Sequence, residues 1–223
     1  KMTMTTDTLN FDRVNQLLFY KNHATIKDET NILKSKVGHY NLTNKKFTAT
    51  FKVVVTNPEH VLESNHLDYY TDTALAYLYG PSTIKGKNNT IYTERGFYNT
   101  KTEVSHFVKN SKIFFKDRTI EGDSLYYNRF KGFASATKNI KLVDTVQNFV
   151  AKGNYAEYFE QKDSVFIVKR AVAISRVEKD SIYIHGDTLL VTGKPDKRIV
   201  KVYHNAKIFK SDLQGKCDSI HIN

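Results

Sequence analysis

Residues 122–142 read Gly122-Asp-Ser-Leu-Tyr-Tyr-Asn-Arg-Phe-Lys-Gly-Phe-Ala-Ser-Ala-Thr-Lys-Asn-Ile-Lys-Leu142, and this stretch is one copy of a repeat. Steps of 29 residues from Tyr127 toward the N-terminus reach Tyr98, Tyr69, Tyr40 and Phe11. Toward the C-terminus, steps of 31, 33 and 31 residues reach Tyr158, Val191 and Ile222. We call these the reference positions. Self-similarity at this spacing predicts a repeat architecture.

Each repeat carries a second fixed point, which we call the aliphatic anchor. Fifteen residues after the first five reference positions stand Ile26, Val55, Ile84, Ile113 and Leu142. Segments rich in turn-forming residues follow several reference positions, among them 41–45, 99–102 and 128–132. Each repeat is therefore predicted to contain a short strand with the reference residue, a turn, a longer strand that reaches the anchor, and a second turn.

The apolar residues of the longer strands alternate with polar residues, which predicts one inward face and one outward face. In the second repeat the inward face is predicted to hold Phe47, Phe51, Val53 and Val55 together with Ala49. The corresponding inward residues elsewhere are Leu18, Tyr20, Ile26, Leu78, Ile84, Phe107, Ile113, Ala134, Ala136, Ile140 and Leu142, to which the reference residues Tyr40, Tyr69, Tyr98 and Tyr127 are added. Lys109 and Lys138 interrupt this pattern. We expect these side chains to line an apolar groove that binds a ligand.

The fold class predicted from these patterns is all-β. Composition favours strands, because the chain has 14 Tyr and 14 Phe but only 3 Pro. Short turns suit antiparallel neighbours, so we expect an elongated antiparallel β-jelly roll of about eight two-strand repeats of ~29 residues. A parallel β-helix is the competing architecture. The unbroken repeat predicts a single domain over residues 1–223, which we expect to be a fragment of a longer secreted protein.

The charge of the chain predicts an anionic partner. The net charge is +11 and the pI is near 9.5, although a solvated lysine-rich surface would give the same balance. Basic residues are frequent in the turns, at Lys45, Lys46, Lys101, Arg129, Lys131, Lys194, Lys197 and Arg198. An apolar groove with cationic rims suits an amphiphile with acyl chains and an anionic head group.

The sequence shows no catalytic set, and we expect neither an enzyme nor a cofactor. The eight histidines lack paired metal-ligand spacing, so no metal site is predicted. The single cysteine, Cys217, is expected to be an unpaired thiol. Asp123, Asp187 and Asp218 recur before reference positions, which fits a repeated structural role better than a repeated active site.

Several motifs resemble one family. The stretches Gly122-Asp-Ser-Leu-Tyr-Tyr-Asn, Leu78-Tyr-Gly-Pro-Ser-Thr-Ile84, Gly96-Phe-Tyr-Asn-Thr-Lys-Thr102 and Lys210-Ser-Asp-Leu-Gln-Gly-Lys-Cys-Asp-Ser219 are similar to the organic-solvent-tolerance A-like proteins of the Bacteroidetes type. That family is related to the periplasmic lipopolysaccharide-transport protein A. The resemblance implies a V-shaped jelly roll, or β-taco, located in the periplasm. It also implies that the protein carries lipopolysaccharide acyl chains toward the outer membrane and stacks end to end with proteins of the same fold or with itself.

A structural or nucleic-acid-binding repeat protein is the alternative from a different class. Aromatic side chains beside Lys and Arg would suit single-stranded nucleic acid. Under the lipid-carrier interpretation no nucleic-acid partner is expected, and the bound ligand separates the two hypotheses.

Overall fold

The computed structural model describes residues 3–27, 29–146, 148–177, 180–193, 197 and 199–222. The chain forms two compact units, Lys1–Lys109 and Asn110–Asn223. Every strand pair described within them is antiparallel. The predicted all-β antiparallel fold is therefore confirmed and the parallel β-helix is excluded, whereas the single domain stays a prediction.

The first unit begins with short strands and continues with long ones. Its strands are β1 (Thr3–Thr6), β2 (Asn10–Asp12), β3 (Leu17–Tyr20), β4 (Ala24–Lys27), β5 (Ile32–Ser35), β6 (Val37–Asn41), β7 (Lys46–Thr56), β8 (His60–Tyr70), β9 (Leu75–Gly86), β10 (Asn89–Asn99) and β11 (Val104–Lys109). From β7 to β10, each strand pairs with the strand before it in the sequence. The long strands therefore form an antiparallel meander.

The second unit repeats this organisation. Its strands are β12 (Ser111–Phe115), β13 (Arg118–Gly122), β14 (Ser124–Asn128), β15 (Phe133–Asp144), β16 (Phe149–Phe159), β17 (Ser164–Val177), β18 (Asp180–Thr192), β19 (Ile199–Lys210) and β20 (Leu213–Ile222), with a 3-10 turn at Glu160–Lys162. The predicted two-strand repeat is confirmed where the strands are long, from β7 to β10 and from β15 to β20. The predicted short strand with the reference residue is present at Phe11, Tyr40 and Tyr127, in β2, β6 and β14. Elsewhere it is the second half of a long strand: Tyr69 and Tyr98 lie one residue before the ends of β8 and β10.

The long strands bend near their middle, where the ladder contains a β-bulge. On β7 the bulge consists of Phe51 and Lys52, with φ of 60° and 53°. Pairs of residues with positive φ recur at 138–139 on β15, 169–170 on β17 and 204–205 on β19. Two consecutive left-handed residues turn the strand, so the corner residue faces solvent. The inward prediction for Phe51 is therefore wrong, because its side chain is 63% exposed, and the interruption at Lys138 has the same cause.

The turns after the reference positions are built by an Asn or Asp side chain. The Oδ1 atom of Asn41 accepts hydrogen bonds from the backbone N–H groups of Thr43 and Asn44 at 2.9 and 3.1 Å. Asn99 binds Lys101 and Thr102 in the same way. These Asx turns replace backbone hydrogen bonds that the strands cannot make at their ends. The turns predicted at Asn41 and Asn99 are confirmed.

The bend divides each long strand into two halves, which belong to two layers. We call the half with the reference residue layer A and the half with the aliphatic anchor layer B. In the first unit, cross-strand pairing aligns Tyr40, Phe47, Tyr69, Ala76 and Tyr98 in one row of layer A. Pairing in layer B aligns Ile26, Leu33, Val55, Leu62, Ile84 and Ile91. The repeat in sequence thus becomes apolar rows across the strands.

A polar cluster lies on the outer face of layer A in the first unit. Asp68 is only 8% exposed, and its carboxylate accepts hydrogen bonds from Thr48 Oγ1 at 2.7 Å and Lys46 Nζ at 3.3 Å. His66 Nε2 lies 3.2 Å from Asp68 Oδ1. Burial alone would raise the pKa of Asp68, but the hydrogen bonds from Thr48 and His66 and the charge of Lys46 outweigh it and lower the pKa below 3.8.

We expect Asp68→Asn to lower the free energy of unfolding by about 1–3 kcal/mol at pH 7, because charge-assisted hydrogen bonds are lost. A carboxylate with a lowered folded-state pKa contributes stability above its unfolded pKa, and this contribution disappears as pH falls through the folded pKa. Urea unfolding at pH 7 and pH 3 should therefore show a difference between wild type and variant that shrinks in acid. Asp72→Asn, in an exposed turn, is the control; an Asp68→Asn effect equal to it at pH 7 would contradict the prediction.

Candidate functional site

A partly open cavity of ≈ 680 Å³ lies between the two layers of the second unit. Its lining residues come from both layers: Arg118, Leu142, Asp144, Phe149, Ala173, Ser175 and Ile184 from layer B, and Val165, Val191, Ile199, Val200 and Ile222 from layer A, with Lys197 between strands. Most of these side chains are aliphatic. The cavity therefore has the size and lining of a small-ligand pocket.

The cavity lies where the row of reference residues changes from aromatic to aliphatic. In the second unit this row continues from Tyr158 through Val165, Val191, Val200 and Ile222. Its counterpart in the first unit pairs Phe47 with Tyr69. There the ring of Tyr98 in layer A also approaches the ring of His60 in layer B, with centroids 6.0 Å apart. Smaller side chains at the reference row leave the space between the layers unfilled.

Close packing fills the space between the layers near the bend. Ile167, Leu189 and Val202 belong to one row of layer A and are at most 1% exposed. Gly153 and Gly186 stand opposite this row: a Cβ atom on Gly153 would collide with the side chain of Ile167, and one on Gly186 with that of Val202. Glycine at these two positions lets the layers meet closely, so the open space is confined to the side away from the bend.

Charged groups stand among the apolar lining. Arg118 stacks on the ring of Phe115 at 5.5 Å, and its Nε atom lies 3.5 Å from Asp117 Oδ1. That Nε atom is buried and has no hydrogen-bond partner among the described residues. Two carboxylates flank this guanidinium, since Asp144 stands opposite Arg118 across the β13–β15 pair and Asp117 precedes it in the chain. Lys197 adds a second positive charge and Asp144 a negative one.

The other predicted groove residues lie on inward rows but not at the cavity. In the first unit the interior is filled, since Tyr20 and Leu78 are 0% exposed and Phe107 is 2% exposed. The remaining positions there are Leu18, Ile26, Phe47, Val53, Val55, Ile84, Tyr40, Tyr69 and Tyr98. In the second unit Ile113, Tyr127, Ala134, Ala136 and Ile140 also face inward, but of the predicted set only Leu142 lines the cavity. Binding by these residues stays a prediction.

The sequence interpretation missed most of the cavity. Val165, Ala173, Ile184 and Val200 were not among the predicted groove residues, and all of them line it. One signal in the sequence could have indicated the cavity: the reference position at 191 holds Val, whereas the earlier reference positions hold Tyr or Phe. A smaller residue at a repeated core position predicts a void unless a neighbour grows to fill it.

The predicted cationic rim stays a prediction, because Lys45, Lys101, Arg129 and Lys131 do not line the cavity. Lys45, Lys101, Arg129 and Lys131 are exposed in turns, whereas Lys46 pairs with Asp68. Lys194 and Arg198 lie outside the described residues.

Near the turn that holds Arg129, burial and the neighbouring Glu160 raise the pKa of Tyr127, whose hydroxyl donates to Glu160 Oε2 at 3.5 Å.

The thiol of Cys217 is free and exposed, as the unpaired-thiol prediction requires. Its Sγ atom lies 3.3 Å from the carbonyl oxygen of Ser219. Ser64 and Thr93 donate to the carbonyl two residues ahead in the same way, at 3.0 and 2.8 Å. Cys217 therefore occupies a repeated position beside the bend where a short polar side chain binds the backbone.

Within the described parts of the chain, no three His, Cys, Asp or Glu side chains are arranged to hold a metal ion. The same residues contain no helix with the length and apolar character needed to cross a membrane.

Comparison with known proteins identifies one family. The model of the OstA-like protein family matches residues 1–65 and 50–123 of the chain, which together span more than half of it. No curated protein matches. Among solved structures, the chain is similar to LptH, the LptA homologous periplasmic component of the conserved lipopolysaccharide transport device from Pseudomonas aeruginosa. The identity is 12% and the TM-score 0.43, over 47% of this chain and 80% of that one.

Proposed function

This chain belongs to the OstA-like protein family, and on that premise we propose that it is a periplasmic carrier of lipopolysaccharide or a similar anionic amphiphile. The observation that carries the proposal is the cavity of ≈ 680 Å³ between the layers of the second unit. Carriage through an aqueous compartment requires a binding site that removes acyl chains from water. The protein acts by binding and release and not by catalysis.

The apolar lining supplies affinity for acyl chains. Each CH2 group removed from water contributes about 0.8 kcal/mol, so a chain of ten such groups would gain roughly 8 kcal/mol before the entropic costs of binding. Val165, Val191 and Val200 on one side and Ala173 and Ile184 on the other offer this surface. They belong to strands of both layers, so an acyl chain would lie between the layers.

Arg118 supplies selectivity for an anionic group. Its Nε atom is buried and forms an ion pair with Asp117 at 3.5 Å but no hydrogen bond among the described residues, so a phosphate or carboxylate oxygen of the amphiphile would accept that hydrogen bond. Lys197 lines the same cavity and adds positive charge. An anionic head group would therefore bind at this end while its acyl chain occupies the aliphatic part.

Mass spectrometry of apolar extracts of the purified protein tests the proposal. We expect an acylated, anionic lipid in stoichiometric amount, and its loss after delipidation should be reversed by adding lipopolysaccharide. A delipidated protein that binds neither lipopolysaccharide nor a fatty acid would contradict the proposal. Salt-sensitive binding of an oligonucleotide without any lipid would favour a nucleic-acid-binding protein instead.

We expect Arg118→Gln to weaken binding of a dansyl-labelled fatty acid about tenfold to a hundredfold, because a charged hydrogen bond is worth roughly 1.5–3 kcal/mol. The methyl ester of the same fatty acid should bind both proteins almost equally, since it carries no charge. Arg95→Gln, an exposed arginine in the first unit, is the matched control. Fluorescence titration measures the affinity of wild type and both variants for the acid and for the ester. If Arg118→Gln weakened binding of the acid and the ester equally, Arg118 would not select for a charged group.

End-to-end association is part of the proposal. Strand β20 pairs with β19 alone among the described strands, and Leu213 on it is 54% exposed. Strand β2 pairs with β3 alone among the described strands, and Phe11 on it is 53% exposed. An unpaired edge can add a strand of another protein, and joining two different edges propagates. The partners would be proteins of the same fold or a second copy of this chain.

We expect proline at Asn10 or His221 to weaken this association, because proline removes an N–H group and disfavours strand pairing. Light scattering over a concentration series should show growth in mass for the wild type and less for each variant. A strictly monomeric wild type at high concentration, unchanged by either proline, would contradict self-association.

A further inference from the structure

Two parallel rows of side chains cover the outer surface of layer B in the second unit. The row nearer the bend, the lysine row, contains Lys112, Glu121, Lys141, Lys152, Val172, His185, Lys207 and Lys216. The row beside it, the apolar row, contains Phe114, Thr119, Val143, Val150, Ile174, Tyr183, Phe209 and Gln214. They lie on the opposite face of the strands that carry Leu142, Ala173 and Ile184 into the cavity.

The lysine row holds uncompensated positive charge. Lys141 faces Lys152 directly across one strand pair, and Lys207 faces Lys216 across another. All four side chains are exposed, and none forms an ion pair with another described residue. Glu121 is the one carboxylate of the row: it forms an ion pair with Lys112 at 3.4 Å and stands opposite Lys141 on its other side, which leaves Lys152, Lys207 and Lys216 without an acidic cross-strand neighbour in the row. Like charges directly opposite each other destabilise a sheet, so the fold gains nothing from this arrangement.

The lysine row is specific to the second unit. The corresponding outer row of the first unit contains Thr25, Lys34, Val54, Glu63, Thr83 and Tyr92. That row has one lysine and one glutamate among neutral residues. The concentration of positive charge is therefore not a by-product of the repeat.

The apolar row is exposed beside these charges. Phe114, Tyr183 and Phe209 are 41%, 44% and 48% exposed, and the rings of Tyr183 and Phe209 lie 6.4 Å apart. Val143, Val150 and Ile174 join them into a continuous strip across neighbouring strands. A contiguous apolar strip on a protein surface indicates an interaction site, whereas scattered apolar residues do not.

We propose that this face docks on an anionic lipid bilayer. Lysines attract anionic head groups. Aromatic rings are enriched at the level of the head groups, and aliphatic side chains contact the boundary between the head groups and the acyl chains. Nucleic acid would use the charge but not Val143, Val150 and Ile174, because bases stack on aromatic rings. The proposal goes beyond lipid carriage: it gives the protein a membrane-bound state in which the same strands face both the bilayer and the cavity.

Vesicle flotation with the full chain tests the charge. Binding is expected to vesicles of phosphatidylglycerol and phosphatidylethanolamine, to fall with added salt, and to be weak with phosphatidylcholine alone. Each lysine near an anionic surface contributes roughly a fivefold factor, so Lys141→Gln with Lys152→Gln should weaken binding about 25-fold, as should Lys207→Gln with Lys216→Gln. The control, Lys34→Gln with Lys36→Gln, removes two exposed charges from the first unit and should bind like wild type. Equal binding by all these proteins would overturn the proposal.

A tryptophan reporter tests the apolar row, since the chain contains no Trp. Phe209→Trp should show a blue-shifted emission on vesicle binding and quenching by brominated lipid. Phe51→Trp, at an exposed corner of the first unit, should show neither. No shift for Phe209→Trp on bound protein, or preferential binding of an oligonucleotide or acidic protein by the lysine row, would overturn bilayer docking. The lipid content of the lysine variants, measured after extraction, is expected to be unchanged, which separates this test from that of carriage.

Discussion

Replacing Val165 by Phe and Val191 by Tyr should lower the affinity for a dansyl-labelled fatty acid at least about tenfold, or ~1.4 kcal/mol, while the protein stays folded. Val165 and Val191 are a cross-strand pair that lines the cavity. Phe47 and Tyr69 are the corresponding pair in the first unit, where they fill the interior. The double variant therefore transfers a side-chain arrangement that the repeat already tolerates, and the two rings would occupy the volume of the proposed acyl-chain site.

Fluorescence titration measures the affinity, and thermal melting checks the fold. Leu190→Tyr is the matched control, because Leu190 is adjacent in sequence but lies in an outward row, paired with Phe166 and Lys201. It should bind the fatty acid normally. Undiminished binding by a well-folded double variant would place the ligand outside this cavity and remove the main support for a carrier function.

We expect Leu142→Asp to destabilise the second unit strongly. Leu142 is 7% exposed and lies in the layer B row between Ile120 and Ala151. Its loss removes about 1.5–3 kcal/mol of apolar burial, and the new carboxylate must be desolvated or protonated. A total above about 4 kcal/mol would lower Tm by roughly 8–16 °C in a chain of this size.

The comparison is with Lys141→Asp, one residue away on the exposed face of the same strand. That change should shift Tm by no more than about 2 °C, because surface substitutions rarely exceed ~0.5 kcal/mol. Differential scanning calorimetry of the two variants measures both Tm shifts and tests this difference. Equal shifts would mean that the inward and outward faces of β15 are assigned wrongly.

The period of the sequence was sufficient to predict which residues share a row. Tyr40, Tyr69 and Tyr98 align because the repeat length matches two strands and two turns, and Ile26, Val55 and Ile84 align for the same reason. Simple alternation failed at Phe51. A period of two assumes an extended strand, and two left-handed residues at the bend break that assumption. Neither residue is a glycine, so the sequence does not indicate the bend.

The cavity and the lysine row were harder to predict, because both depend on residues from different strands. Val191 at a reference position predicts a void only if Val165 and Val200 beside it are also small, which requires the pairing register. Likewise Lys141 and Lys152 are ordinary outward lysines in the sequence and become neighbours only in the sheet. Register is set by the bulges and turns, whose geometry a one-dimensional pattern does not contain.

The pairing of each long strand with the strand before it has a kinetic consequence. From β15 to β20 each hairpin joins residues that are close in the sequence, so a strand can add to its neighbour with little loss of chain entropy. Such low contact order favours faster folding than in β-sandwiches, whose paired strands are distant in the sequence. Strands can add one after another to any hairpin that has already formed. The same logic makes opening progressive, so amide hydrogens should exchange fastest in β20, where most residues are exposed, and slowest in the strands around β17.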